Sequence, residues 1–260
     1  MRDILTPPKV GRRAYKVWQR NRDAWLKFYK ASLIGNLGEP VLFLLAFGLG
    51  LSRYIKEING VPYINFIAPG LVVATAMNAS SFECTFGSFT RMETQKSYDA
   101  IMVTPVNIEE VAAGDILWGA TKGFISAMIM LPVLVAFGLM ESPWLLLSPL
   151  LFFLEGLMFA AMALIVTAFA PSYDYYAYYF SLVVSPMFFF SGVFFPLTSM
   201  PKWVETLAWF FPLTHSVNIA RALADGDMYI GLIGDVAWMV VFSMLASWLA
   251  VKFIKRRLVK

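Results

Sequence analysis

The chain has 260 residues, 59% of them hydrophobic and 15% charged, with a net charge of +4 and a mean hydropathy of +0.65. Soluble domains run at about 45–50% apolar and about 25% charged, so a water-soluble fold is excluded, because a core of this size cannot hide so much apolar surface. The Lys and Arg residues gather at the two ends, a topogenic pattern rather than a nucleic-acid-binding stripe, and the single Cys84 excludes an intramolecular disulfide or a CxxC site.

Residues 12–30, RRAYKVWQRNRDAWLKFYK, predict an amphipathic helix lying on the membrane surface. Ala14, Trp18, Trp25 and Tyr29 share a narrow arc, and Arg12, Arg13, Lys16, Arg20, Lys27 and Lys30 gather opposite it, Arg22 being the exception. No apolar leader precedes it, so the first span itself is expected to direct insertion. A spanning helix needs about 20 mostly apolar residues. Six stretches qualify: 33–52, 66–89, 111–140, 144–169, 178–195 and 230–253. With the N-terminus inside, 16 Lys and Arg fall on cytoplasmic segments and four on external ones, so both termini are expected in the cytoplasm.

Between the second and third spans, the loop 91–110 is too polar for the bilayer. Tyr98, Ile101 and Met102 form an i, i+3, i+4 apolar patch beside Asp99, which predicts a short projecting helix. Thr104 and Pro105 close it. Asn107 is placed to cap the next helix, with Glu109 and Glu110 in its first turn. Inside the spans, charge is costly and marks pairing or function. Glu83 and Lys122 lie at similar depth, about 12–18 Å from the cytoplasmic boundary by helical rise. An intramembrane Glu83–Lys122 pair is the expectation. Glu155 and Asp235 also fall in or beside spans, without an assignable partner.

The outer segment 196–229 is punctuated by Pro196, Pro201 and Pro212. It predicts two short aromatic-rich helices in or dipping into the outer leaflet, one presenting Trp203, Leu207 and Phe210 or Phe211. His215 is the only histidine and cannot build a metal site alone, and no Ser/His/Asp set is suggested by spacing. Catalytic and metal-ligating residues are therefore expected to be none. The chain also lacks a G-x-x-x-x-G-K-[ST] string to cradle ATP phosphates.

These parts, in this order, resemble the ABC-2 type permease family over essentially the whole chain. The closer likeness is to the permeases of nodulation-factor (lipo-chitooligosaccharide) exporters, carried by GNLGEP (35–40), RMETQKSYDAIMVTP (91–105), APSYDYY (170–176) and PLTHSVNIAR (212–221). The resemblance implies one all-α transmembrane domain over 1–260: six transmembrane helices, the interfacial helix 12–30, and an extracellular re-entrant helical pair in 196–229 before the last span. It implies a homodimer in the inner (cytoplasmic) membrane, contacting membrane lipids and no nucleic acid. Two copies of a cognate ATPase would hold ATP and Mg, this chain holding no cofactor. Loop 91–110 then corresponds to the coupling helix, with Tyr98, Asp99, Ile101, Met102, Thr104 and Pro105 at the ATPase. The turn 172–176 makes a smaller cytoplasmic contact. Pro196, Trp203, Phe211, Pro212 and His215 shape the outer gate, and spans one, two and five line the path. The implied function is outward transport of an amphiphilic, lipid-linked oligosaccharide. The alternatives are a drug or small-lipid exporter of the same family, an ion-coupled secondary transporter, or a membrane-embedded lipid–sugar enzyme.

Overall fold

The structure is a computed structural model that describes residues 8–58, 60–139 and 142–259. The first seven residues of the basic N-terminal segment and residue 140, the expected end of the third span, lie outside them.

The interfacial segment forms α1 (Ala14–Trp25). Its stripe faces protein: Ala14, Val17, Asn21 and Trp25 are buried, and the Trp18 indole donates to Thr121 Oγ1 of the third span at 2.8 Å. After a turn comes α2 (Tyr29–Phe43), continued through a wider π-type turn, Leu44–Gly50, to Arg53. An antiparallel pair of two-residue strands, β1 (Glu57–Ile58) and β2 (Val61–Pro62), with Glu57 opposite Pro62, returns the chain. The positive φ of Gly60, 82°, makes that reversal possible.

Helix α3 (Tyr63–Phe82) runs on through π-type turns at Glu83–Gly87 and Thr90–Thr94. The short α4 (Ser97–Met102) follows, then α5 (Ile108–Ala136). The start of α5 carries the expected cap: Asn107 Oδ1 accepts from the Glu110 amide at 2.9 Å and the Glu110 carboxylate accepts from the Asn107 amide at 3.0 Å. Helix α6 (Ser148–Phe169) leads to α7 (Tyr175–Tyr179), a π-type turn Phe180–Val184 and α8 (Ser185–Phe190). The segment expected outside forms α9 (Lys202–Trp209) and α10 (Pro212–Asp225), and α11 (Gly231–Leu258) follows.

Among the described residues, four helices are long and apolar enough to cross a membrane: Tyr63–Thr94, Ile108–Ala136, Pro143–Phe169 and Gly231–Leu258. The first and fifth expected spans are helical too. The fifth, however, ends at Phe190 rather than at 195, where Gly192 takes a φ of 82° and the chain bends. At 1.5 Å per residue, 175–190 is about 24 Å long, less than the roughly 30 Å apolar thickness of a bilayer.

Small residues let the central helices meet. Gly119 and Gly123 of α5 form a GxxxG face that both α3, with its continuation, and α6 approach closely. A Cβ on Gly156 would lie 2.6 Å from the Ala120 carbonyl oxygen and 2.9 Å from its Cα. Backbone-to-backbone contact of this kind is how helices associate where lipid supplies no hydrophobic drive.

Candidate functional site

At the end of the bundle that carries both basic segments, α1, α3, α4 and α5 converge on one carboxylate. Asp115 of α5 is fully buried. Its Oδ1 accepts from Asn21 Nδ2 of α1 at 2.6 Å. Its Oδ2 accepts from Tyr98 OH of α4 at 2.5 Å and from Ser88 Oγ at 2.8 Å. Arg91 donates to the same oxygen at 3.1 Å and also pairs with Glu83 at 2.6 Å. A buried carboxylate needs this many donors to offset its desolvation, so the four elements hold one another in place.

The rest of the loop 91–110 is anchored on three further sides. Arg13 Nη1 donates to the Pro105 carbonyl at 2.5 Å, and the Lys9 amide to Glu109 Oε2 at 2.5 Å. Glu109 also pairs with Lys255 at 3.0 Å and Lys252 at 3.5 Å from the end of α11. Arg257 bridges to Glu93 at 2.9 Å while donating to the Thr167 and Ala170 carbonyls, which closes the C-terminus of α6. In the turn 172–176, Tyr173 OH hydrogen-bonds Thr90 Oγ1 at 2.8 Å and Thr94 Oγ1 at 3.1 Å.

The expected knob exists as α4, with its faces reversed. Tyr98 is buried on Asp115, and Ile101 and Met102 pack against the core. A short helix buries its apolar stripe on its own body, so the other face is the one offered outward. That face is Asp99, Thr104 and Pro105, together with Val103, 88% exposed, which sequence reasoning missed. The expected Glu83–Lys122 pair is not among the ion pairs of the described residues. Glu83 is taken by Arg91, two turns along the same helix. Lys122 donates to Ser32 Oγ at 2.6 Å and stands over the Trp25 ring. Asp115 and Asn21 were also missed, although polar residues near the end of an apolar run are the sign of such a cluster.

A cavity of about 500 Å³ lies between α2, α3 and α7–α8, with Pro40, Asn78, Phe82, Phe180, Ser185 and Phe188 in its wall. From Phe82 an aromatic series leads toward the Asp115 end of the bundle: Phe82 to Phe86 at 4.7 Å, then Phe86 stacked on Tyr173 at 6.2 Å.

At the other end, His215 joins three elements. Its Nδ1 is 2.6 Å from Asp235 Oδ1 of α11, its Nε2 is 2.9 Å from the Trp209 carbonyl of α9, and its ring stacks on Trp238 at 4.3 Å. Asp235 thereby gains the partner the sequence did not supply. Pro212 is buried at the start of α10, Phe211 and Pro196 are half-buried, and Trp203 is 70% exposed. Arg221 of α10, another residue missed, donates to the Gly192 carbonyl at 2.5 Å and to the Phe66 carbonyl at 3.3 Å. Burial disfavours the charged form of Arg221, while Asp225 nearby opposes that.

Long apolar helices, a docked amphipathic helix and a charged cluster at one end define a multi-pass α-helical membrane protein. The model of the family described as ABC-2 type transporter matches residues 15–224, and the chain belongs to that family. Nodulation protein J of Rhizobium leguminosarum bv. trifolii is 35% identical over 244 residues, covering 94% of this chain and 93% of that protein. Nodulation protein J of Rhizobium meliloti (strain 1021) is 35% identical over 257 residues, covering 98% and 97%. The inner membrane transport permease YadH of Escherichia coli (strain K12) is 21% identical over 226 residues, covering 87% and 88%. The chain is thus the membrane-embedded transport subunit of an ABC transporter.

Proposed function

We propose that two copies of this permease and two copies of a cognate ATPase form an exporter in the inner membrane, and that it moves an amphiphilic, lipid-linked oligosaccharide outward. The observation that carries the coupling is the Asp115 cluster. Any displacement of α4 by an ATPase pulls on Tyr98, hence on Asp115, and through Asn21 and Arg91 on α1 and α3. Among the described faces of α4, the one around Val103, Thr104 and Pro105 is free to receive the partner.

The reading places six crossings, both termini in the cytoplasm and a path at the dimer interface along α2, α3 and α7–α8. The cavity there supports it, with polar Asn78 and Ser185 among aromatic rings, a surface suited to a sugar head and an apolar tail. The aromatic series from Tyr173 to Phe82 gives ring faces on which sugars stack. The sequence resemblance to nodulation-factor exporter permeases points to a lipo-chitooligosaccharide, and two of the relatives carry the name nodulation protein J. On this reading α9 and α10 shape the outer exit, with α9 presenting Trp203, Leu207 and Phe210 to the outer leaflet.

The test is co-purification with the neighbouring ATPase. Val103→Glu should insert normally yet lose the ATPase, whereas Ile101→Ala, on the inner face, should keep it. Retention of the ATPase by Val103→Glu would overturn the assignment.

A further inference from the structure

Near His215, at the end of the bundle away from Asp115, α6, α10 and α11 enclose a second recess of about 360 Å³. Its walls are Leu, Ile, Val and Met side chains alone, among them Leu150 and Leu154 of α6, Ile219 and Leu223 of α10, and Val236 of α11. The floor lies inside the protein and the rim outside it: Leu223 is 3% exposed, Leu150 73%. None of these residues borders the cavity between α2, α3 and α7–α8. That cavity offers rings and hydroxyls, and the recess offers neither.

The chain leaving α10 forms one lip of the recess, since Leu223 and Met228 both line it. Between them stand Asp225 and Asp227, both exposed, on either side of Gly226, whose φ of 80° ends the helix. A Cβ on Gly226 would lie 3.3 Å from Ser142 Oγ and 3.9 Å from Trp144 Cδ1, so this acidic lip passes beside Trp144. Trp144 and Tyr229 are both exposed, as aromatic side chains at headgroup level are. Burial pushes the Asp225 carboxyl up, Arg221 opposes this, and the charge of Asp227 adds to the push. The lip is negative on balance. Residues 123–201 contain no Lys or Arg, and Arg221 is the only one in 203–251. Its guanidinium is engaged with the Gly192 and Phe66 carbonyls.

An unfilled recess forfeits dispersion contacts along its walls, and at this depth the filler is lipid. Walls without a ring or a hydrogen-bonding group suit a hydrocarbon chain and not a sugar. The lip then selects the head that the chain carries. An anionic head is repelled by two carboxylates, and a choline head presents no N–H. A primary ammonium is attracted and also donates charge-assisted hydrogen bonds to carboxylates.

We propose that the recess between α6, α10 and α11 binds a phospholipid with a primary-amine headgroup, its ammonium at Asp225 and Asp227 and one acyl chain against Leu150, Leu154, Leu223 and Val236. The site is separate from the transport cavity and does not depend on what that cavity carries.

The test releases the full-length permease from nanodiscs of phosphatidylcholine mixed with phosphatidylethanolamine or with phosphatidylglycerol, and native mass spectrometry counts the lipids that stay bound. The wild type should retain phosphatidylethanolamine in preference to both others. Asp227→Asn, on an exposed lip where folding is unaffected, should lower that preference about threefold, or about 0.7 kcal/mol, the size of an exposed ion pair. Asp227→Glu should keep it. Val236→Trp, which fills the recess from its exposed wall, should reduce the phosphatidylethanolamine retained and leave the mass of the protein assembly unchanged. Equal retention of the three lipids by the wild type would overturn the site, as would undiminished preference in Asp227→Asn. Loss of a protein copy from the assembly in Val236→Trp, with the lipid count unchanged, would overturn it in favour of a second permease as the occupant.

Discussion

Replacing Asp115 by Asn keeps the shape of the side chain and removes its charge. Asp115 takes hydrogen bonds from Asn21, Ser88 and Tyr98 and an ion pair from Arg91, all inside the protein. Hydrogen bonds to a charged group contribute about 1.5–3 kcal/mol each. They do not add within one network, and breaking a buried pair by removing one partner costs about 3–5 kcal/mol. Arg91 keeps Glu83 at 2.6 Å, which puts the expected loss for Asp115→Asn near 3 kcal/mol. For a chain of this length each kcal/mol moves the midpoint by about 2–4 °C, so the shift should be roughly 10 °C. The protein carries its own reporter: Cys84, its one cysteine, is free and buried and reacts with a thiol-specific dye only on unfolding. Asp115→Asn should also weaken communication between α4 and the bundle, so ATP hydrolysis by a bound partner should no longer respond to substrate. A midpoint within about 2 °C of wild type, with normal substrate response, would refute the reasoning.

Gly156→Val should cost about 1–3 kcal/mol by overpacking, because the new side chain meets the Ala120 backbone; the same dye assay reads it. Arg221→Met leaves the Gly192 and Phe66 carbonyls without their donor. It should cost about 3 kcal/mol and raise protease sensitivity in 191–200 above that of Lys202→Met, an exposed control. Tyr98→Phe, combined with Asp115→Asn, should destabilise by less than the two singles together, since both cut one network; strict additivity would show that they act separately.

How much of this was legible in the sequence differs by level. Hydropathy located the long helices closely: 66–89 lies inside Tyr63–Thr94, and 144–169 matches Pro143–Phe169, because lipid imposes length and apolarity on each segment by itself. The cap at Asn107 was readable for the same reason, being a matter of residues three apart. The fifth helix ended early because the break is conformational, a positive φ at Gly192 within a run that is still apolar. Which way residues point was much harder to read. Helical rise gave Glu83 and Lys122 a common depth, but Arg91, two turns along the same helix as Glu83, took its carboxylate. The stripe of α1 was read as facing lipid, although tryptophans suit lipid and a neighbouring helix equally; only the fold puts Trp25 against Trp118, 5.9 Å away. On α4 the same ambiguity hid which face is exposed: Tyr98 is buried and Val103 lies outside. Asp115 stayed hidden because its donors come from positions 21, 88, 91 and 98, too scattered to form a local motif.

The central claim is that ATP hydrolysis by a partner drives an amphiphilic oligosaccharide outward through this permease by way of α4. The direct measurement is uptake of a labelled lipo-chitooligosaccharide into inverted membrane vesicles containing the permease and its ATPase. Uptake should require ATP and should fall at least about tenfold with Val103→Glu, which forfeits a docking contact of about 1.4 kcal/mol or more. Uptake that proceeds without ATP, or that Val103→Glu leaves at the wild-type rate, would contradict the account.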